Sequence, residues 1–123
     1  MNLGFLAHDI KKVLLKNFCA EYFDLLKSHE IYATGSTGNI ISEIPGLETH
    51  TLLAGALGGE HQLAAMVEAG EIDAVFLFRD PAVIQSNTNG YTKLYDACDF
   101  QNIPLATNLA TAEILIKAIN QSV

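Results

Sequence analysis

The sequence predicts a three-layer α/β/α fold, in which a five-stranded parallel sheet lies between two layers of helices. Strand-like apolar segments alternate with segments of helical periodicity five times along the 123 residues, a pattern typical of parallel α/β sheets. Residues 73–78 (DAVFLF) are apolar after the first position, as expected for a strand that is covered on both faces. No linker, repeat or low-complexity stretch interrupts the alternation, so residues 1–123 are expected to form one domain.

The first half of the chain predicts three strand–helix units. Strands are expected at residues 2–7, 30–33 and 48–53, and helices at residues 10–28, 40–44 and 61–69. Asp9 is suitably placed to cap the first helix, Pro45-Gly46 to end the second and Gly70 to end the third. The apolar positions at helical spacing in the first helix are Ile10, Val13, Leu14, Phe18, Tyr22, Leu25 and Leu26. This pattern predicts that they share the buried face.

The second half predicts two further units, the first of which has a polar loop between its strand and its helix. Strands are expected at residues 73–78 and 103–106, the loop at residues 82–90, and helices at residues 91–100 and 110–120. Cys19 and Cys98 fall in helical segments without the spacing of metal ligands. We therefore expect reduced thiols that pack in the interior.

Composition and charge limit the function classes. Hydrophobic residues make up 50% of the chain and charged residues 17%, which is typical of a folded globular protein. The net charge of −7 disfavours nucleic acid and anionic membrane surfaces as partners. The longest apolar runs are too short to span a membrane, and residues 1–4 do not begin a signal peptide, so a cytoplasmic location is expected.

Polar clusters follow four of the predicted strands. They comprise His8-Asp9, the stretch 32–39 (YATGSTGN), the glycine-rich loop 54–60 and Arg79-Asp80. Ligands of parallel sheets bind outside the carboxyl ends of the strands, so these clusters predict one shared site. Hydroxyls and backbone N–H groups at a helix N-terminus are suited to an anion, although an ordinary helix cap with a glycine turn is the simpler alternative for residues 32–39. Lys12 near a helix N-terminus indicates either a nearby anion or a solvated side chain.

Taken together, six segments resemble the methylglyoxal synthase family. They are residues 7–9 with Lys12, residues 32–39, Gly58-Gly59 with Gln62, residues 70–73, Asp80-Pro81 and residues 103–108. The resemblance implies a lyase that converts dihydroxyacetone phosphate to methylglyoxal and phosphate through an enediolate, without metal or organic cofactor. It also implies a homohexamer, the strand order 3-2-1-4-5, and binding of inorganic phosphate as product or inhibitor.

The resemblance also assigns roles to individual residues. The positions that it implies for the substrate phosphate are Lys12, Thr34, Gly35, Ser36 and Thr37. His8 matches a substrate-binding position, and Ala54 and Gly55 match a serine and a glycine that contact the ligand. Asp9 and Asp80 match carboxylates that line the catalytic centre, and Glu60 stands where the family has its catalytic aspartate. A buried carboxylate is a suitable base for removing a proton next to a carbonyl.

Three positions depart from the family pattern, and they leave two hypotheses. Glu60 is one methylene longer than aspartate, Ala54 lacks the serine hydroxyl, and Asn87 replaces a histidine with a side chain that cannot carry a proton at neutral pH. The first hypothesis is a working methylglyoxal synthase with Glu60 as base. The alternative is a catalytically impaired protein of the same fold that binds a phosphorylated ligand in a regulatory role.

Two further side chains are ambiguous in the sequence. His61, beside Glu60, could replace the missing histidine, although a solvent-facing helix histidine is the commoner case. Arg79 could reach a ligand or a neighbouring subunit, or pair with a nearby carboxylate, which is the commoner arrangement.

Overall fold

A computed structural model describes residues 1–53, 58–82 and 89–121, and five strands in these ranges form one parallel sheet. The strands are β1 (Asn2–Ala7), β2 (Glu30–Ala33), β3 (Thr49–Thr51), β4 (Ala74–Phe78) and β5 (Leu105–Ala106). Their order across the sheet is β3-β2-β1-β4-β5, and every neighbouring pair is parallel. Both the predicted fold class and the predicted strand order are confirmed.

Helices cover both faces of the sheet. A 3-10 helix at Asp9–Lys11 precedes the α-helices α1 (Lys12–Glu21), α2 (Phe23–Leu26), α3 (Gly35–Ser42), α4 (Gly59–Glu68), α5 (Asn89–Gln101) and α6 (Leu109–Gln121). Helices α1, α2, α3 and α6 share one apolar cluster with the sheet, whereas α4 and α5 share a second cluster on the opposite face. The molecule therefore has the three layers that the alternation predicts.

Stacked aromatic rings form the centre of the first cluster. Phe5 and Phe76 are register partners on β1 and β4, and their rings stack at a centroid distance of 4.7 Å. Phe18 of α1 packs against Phe76 and Phe78 at 5.9 and 5.4 Å. Because strand side chains alternate between faces, Leu77 points into the second cluster instead. The two central strands are therefore buried on both faces, as the apolar run predicts.

The first helix differs from its prediction. The expected helix at residues 10–28 is divided into a 3-10 turn and the helices α1 and α2. Asp9 lies inside the 3-10 turn and its side chain makes no capping bond. Ile10 and Val13 are 73% and 71% exposed rather than buried. A 3-10 turn has three residues per turn instead of 3.6. The side chains at the start of the segment therefore do not lie on the face that a continuous α-helix would give them.

Helix α3 begins earlier than predicted, inside the glycine and hydroxyl stretch. It starts at Gly35 rather than at residue 40. Glycine and threonine are weak helix formers, so propensity alone did not indicate this start. Gly38 allows a close approach to β3, since a Cβ atom there would lie 3.3 Å from the Thr51 hydroxyl. Helix α5 also begins earlier, at Asn89, and residues 83–88 of the predicted loop lie outside the described residues.

The two thiols behave as predicted. Cys19 and Cys98 are free and buried, one in each apolar cluster. Burial raises the pKa of the Cys19 thiol to about 12 and that of Cys98 to about 11, so both are packing groups rather than nucleophiles. Among the described residues, every helix is too short or too polar to cross a membrane.

The aromatic centre predicts the cost of a core truncation. Phe76→Ala removes a fully buried ring from the stack with Phe5 and should lower the free energy of unfolding by about 3–5 kcal/mol. Phe100→Ala removes a ring that is 85% exposed and should change it by no more than about 0.5 kcal/mol. Urea denaturation followed by circular dichroism measures both. Equal costs for the two variants would contradict this description of the core.

Candidate active site

The polar clusters meet at the edge of the sheet formed by the carboxyl ends of the strands. His8 follows β1, Thr34 follows β2 and Asp80 follows β4. The backbone N–H of His8 donates to the Phe78 carbonyl at 3.1 Å, which joins the first and third of these strand ends. The shared edge that the sequence predicts is therefore present in the described residues.

The start of α3 presents donors without a side-chain acceptor. Thr34 is the N-cap in an extended conformation, but its hydroxyl donates to the Thr37 hydroxyl at 3.2 Å rather than accepting from the helix backbone. The backbone N–H of Gly35 is already donated to the Leu53 carbonyl at 3.2 Å. Ser36 and Thr37 provide first-turn N–H groups, which have no acceptor within the helix. This arrangement is suited to an anion and differs from an ordinary helix cap.

Lys12 lies beside this edge with little exposure to solvent. Its side chain is 16% exposed, and its ammonium group pairs with the Asp9 carboxylate, which is itself 96% exposed. The hydrogen bond from Lys12 lowers the pKa of Asp9. Lys12 is therefore largely shielded from solvent, and Asp9 pairs with it instead of capping a helix.

His8 is held in one tautomer. Its Nδ1 accepts the backbone N–H of Asp80 at 2.8 Å, so the proton of the neutral ring is on Nε2. The Nε2 atom is buried and has no partner among the described residues. Burial lowers the pKa of His8, Arg79 and Lys12 lower it further, and Asp80 and Asp9 oppose them. The ring thus presents an unpaired N–H donor.

Glu60 presents an unpaired acceptor. It is the second residue of α4, and its Oε2 atom is buried without a partner among the described residues. A buried carboxylate oxygen without a hydrogen bond is costly to maintain. Its presence at this edge points to a function rather than to folding.

The position of Glu60 depends on the glycine before it. A Cβ atom at Gly59 would lie 2.1 Å from the Leu53 carbonyl oxygen and 2.8 Å from Thr34 Cγ2. The backbone of Leu53 is also bound to α4, because its N–H donates to Gln62 Oε1 at 2.9 Å. Helix α4 can therefore begin directly against the end of β3 and the start of α3 only with glycine at residue 59.

The remaining predicted site residues differ in location and contacts. The Asp80 carboxylate accepts the Ala82 N–H at 2.9 Å, which shapes the turn after β4. Arg79 is exposed and forms no ion pair within the described ranges, so the carboxylate pairing considered for it is not observed there. His61 is exposed on α4, as the simpler alternative expected. Ala54, Gly55 and Asn87 lie outside the described residues.

Tyr91 lines the same edge and was not identified from the sequence. Its ring lies 5.4 Å from the His8 ring, measured between centroids. Burial first, and then the Glu60 charge, raise the pKa of Tyr91 to about 12. The only sequence signal was an aromatic residue near the start of a helix that follows a polar loop, and such residues are usually part of the core.

Comparisons with known proteins point to one family. The model of the MGS-like domain family matches residues 15–107. The chain is 46% identical over 121 residues to methylglyoxal synthase of Caldicellulosiruptor saccharolyticus, covering 98% of this chain and 86% of the relative. It is 41% identical over 123 residues to methylglyoxal synthase of Bacillus subtilis, covering 100% of this chain and 90% of that relative. The crystal structure of methylglyoxal synthase from Elizabethkingia anophelis NUHP1 superposes with a TM-score of 0.85 and 33% identity, over 94% of this chain and 76% of that one.

The two adjacent glycines at the start of α4 allow a matched prediction. Gly59→Ala should push α4 away from Leu53 and Thr34, which lowers stability by roughly 1–3 kcal/mol and weakens phosphate binding severalfold. Gly58→Ala meets no atom within 4 Å, but its φ of +99° strains the backbone, so it should cost about 1 kcal/mol and leave binding nearly unchanged. Thermal unfolding and phosphate titration measure both effects. Unchanged phosphate affinity in Gly59→Ala would show that the helix start is not coupled to the anion site.

Proposed function

Since the chain belongs to the methylglyoxal synthase family, we propose that it is a lyase that converts dihydroxyacetone phosphate to methylglyoxal and phosphate through an enediolate. One observation supports this most strongly. A buried donor, His8 Nε2, and a buried acceptor, Glu60 Oε2, have no partners among the described residues at the same edge where α3 begins. A substrate with a carbonyl, a removable proton and a phosphate supplies what each of these groups lacks.

In this proposal the phosphate binds at the start of α3. The N–H groups of Ser36 and Thr37 and the nearby hydroxyls donate to its oxygens, and Lys12 contributes a positive charge. Gly35 contributes through its backbone conformation and not as a donor, because its N–H already donates to the Leu53 carbonyl. Negative charge grows on the phosphate as its carbon–oxygen bond breaks, so these donors favour departure as well as binding.

The Glu60 carboxylate removes the proton. It takes a proton from the hydroxymethyl carbon, and the electron pair moves onto the carbonyl oxygen to give the enediolate. The Nε2–H of His8 donates to that oxygen and lowers the barrier. The hydroxyl group on the deprotonated carbon then gives its proton to solvent and forms a new carbonyl, the carbon–carbon double bond shifts by one position, and the bond between the other carbon and the phosphate oxygen breaks. The resulting enolate takes up a proton on its terminal carbon and becomes methylglyoxal. The side chain of Asp9 keeps Lys12 in place, and the backbone of Asp80 keeps His8 in place.

Glu60 is proposed to work as the base despite its length. Misplacement of a catalytic group by about 1 Å can cost on the order of 100-fold in rate, so the extra methylene has to be accommodated by the position of α4. The close approach of Gly59 to Leu53 and Thr34 fixes the start of α4, and with it the backbone of Glu60. Asn87 is proposed to donate a hydrogen bond to substrate oxygens, and Ala54 and Gly55 to contact the ligand.

The assembly and the cellular setting are also proposals. By resemblance to the family we propose a homohexamer in the cytoplasm that uses dihydroxyacetone phosphate in a bypass of glycolysis, with inorganic phosphate as product and inhibitor.

A turnover assay tests the proposed reaction. Purified protein is incubated with dihydroxyacetone phosphate, and methylglyoxal and phosphate are measured in parallel. Equimolar release of both products is expected. Clear stabilisation by phosphate without any turnover would instead favour a non-catalytic binding protein.

Replacement of the proposed base separates chemistry from binding. Glu60→Gln keeps the shape of the side chain but removes its basicity, so kcat should fall by at least about 100-fold with little change in phosphate affinity. Glu68→Gln removes an exposed carboxylate from the same helix and serves as the control with unchanged kcat. Steady-state kinetics and phosphate titration provide the two readouts. Full activity in Glu60→Gln would rule out Glu60 as the base.

Removal of the Lys12 cation should act mainly on binding. Lys12→Ala should raise KM by about 10-fold or more, because a charge-assisted contact to the phosphate is lost. Lys16→Ala is the matched control, since Lys16 lies on the same helix and pairs with Glu43 at 2.8 Å. Its KM should stay close to that of the unmodified protein. Equal effects of the two substitutions on KM would contradict a specific role for Lys12.

A further inference from the structure

Tyr91 connects the helix layer that carries Glu60 to the histidine of the site. It is the third residue of α5 and packs, half-buried, against the second apolar cluster. Its ring meets the His8 ring at a centroid distance of 5.4 Å and an interplanar angle of 62°. This near edge-to-face geometry is a preferred arrangement of aromatic pairs.

The other groups around His8 do not fix the ring completely. Asp80 and Arg79 face it from the end of β4, and Asp9 and Lys12 face it from the first helical turn. Of these, only the Asp80 backbone forms a direct hydrogen bond with the ring, and it does so at Nδ1. This hydrogen bond fixes only one edge of the ring. Contact with a second ring restricts rotation of the imidazole and excludes water from it.

We propose that Tyr91 is a positioning residue, whose ring holds His8 in place and keeps the imidazole neutral with its Nε2–H aimed into the site. For its effect on catalysis this inference rests on the proposed function. For its effect on His8 it rests on the ring contact alone.

The ring, rather than the hydroxyl, carries this role. The Tyr91 hydroxyl forms no hydrogen bond with the described residues. Burial, followed by the charge of Glu60, raises the pKa of Tyr91 to about 12, so the phenol stays neutral near neutral pH. It therefore adds no negative charge that would favour protonation of His8.

The pH dependence follows from the hydrogen bond at Nδ1. Protonated His8 carries a hydrogen on both ring nitrogens, so it can no longer accept the Asp80 N–H. The neutral form is therefore the active form, and activity is lost as pH falls through the pKa of His8. If water reaches the ring, the pKa rises towards the ordinary value of about 6.5, and the acid limb of the kcat/KM profile moves to higher pH.

Substitutions of two tyrosines on one helix test the proposal. Tyr91→Phe keeps the ring, whereas Tyr91→Ala removes it. Tyr95→Ala is the matched control, because Tyr95 packs in the same cluster and has no ring contact with His8 among the described residues. The His8 titration is followed by NMR in the free protein, with His8→Asn used to assign its signals. The pH profile of kcat/KM is measured in parallel with dihydroxyacetone phosphate.

The expected result is an upward shift of both the His8 titration and the acid limb in Tyr91→Ala, with a severalfold loss of kcat/KM at pH 6 relative to pH 8. Tyr91→Phe and Tyr95→Ala should leave both unchanged. An unshifted His8 titration in Tyr91→Ala, or the same shift in Tyr91→Phe, overturns the proposal. If Tyr91→Ala does not fold, Tyr91→Leu replaces it with the same expectations. Because the titration needs no turnover, an inactive protein would contradict the proposed reaction and still test Tyr91.

Discussion

The backbone of Leu53 is the point on which the candidate site depends. Its carbonyl accepts the N–H of Gly35 at the start of α3, and its N–H donates to the Gln62 side chain of α4. The same carbonyl lies where any side chain at Gly59 would have to be. The backbone of this residue, close to the end of β3, thus joins the start of α3 to the helix that carries Glu60, and in the proposed mechanism it sets how far the base lies from the phosphate.

Sequence patterns could predict the fold because the strongest signals are global. The apolar run of β4 and the alternation of strands and helices depend on which residues are buried, and the hydrophobicity of the side chains indicates this directly. Local geometry was less predictable. The 3-10 turn at Asp9–Lys11 rotates Ile10 and Val13 into solvent, and the start of α3 consists of residues with low helix propensity. Apolar periodicity and helix propensity do not indicate either feature.

The site itself was predictable where the residue types are chemically unusual. Glycines, hydroxyls and a lone cation after strand ends indicate an anion site on their own. The contribution of Tyr91 was not predictable, because an aromatic residue on a helix is normally part of the core. The unpaired atoms of His8 and Glu60 could also be recognised only from the structure, since burial and the absence of a partner among the described residues are three-dimensional properties. Each such atom costs about 1–3 kcal/mol, a cost that the aromatic centre of the first cluster can offset.

The two halves of the site differ in how they are built, and this explains where the chain departs from its family pattern. In the proposed mechanism the phosphate half consists largely of backbone N–H groups, so few side-chain substitutions would remove its donors. The proton-transfer half consists of side chains, which can change while the backbone stays in place. All three departures, Ala54, Glu60 and Asn87, are side-chain changes in that second half. A longer carboxylate at residue 60 is compatible with the reaction if the backbone that carries it keeps its position, which Leu53 and Gly59 determine. In the proposed mechanism the identity of the base can therefore vary more readily than the backbone position from which it acts.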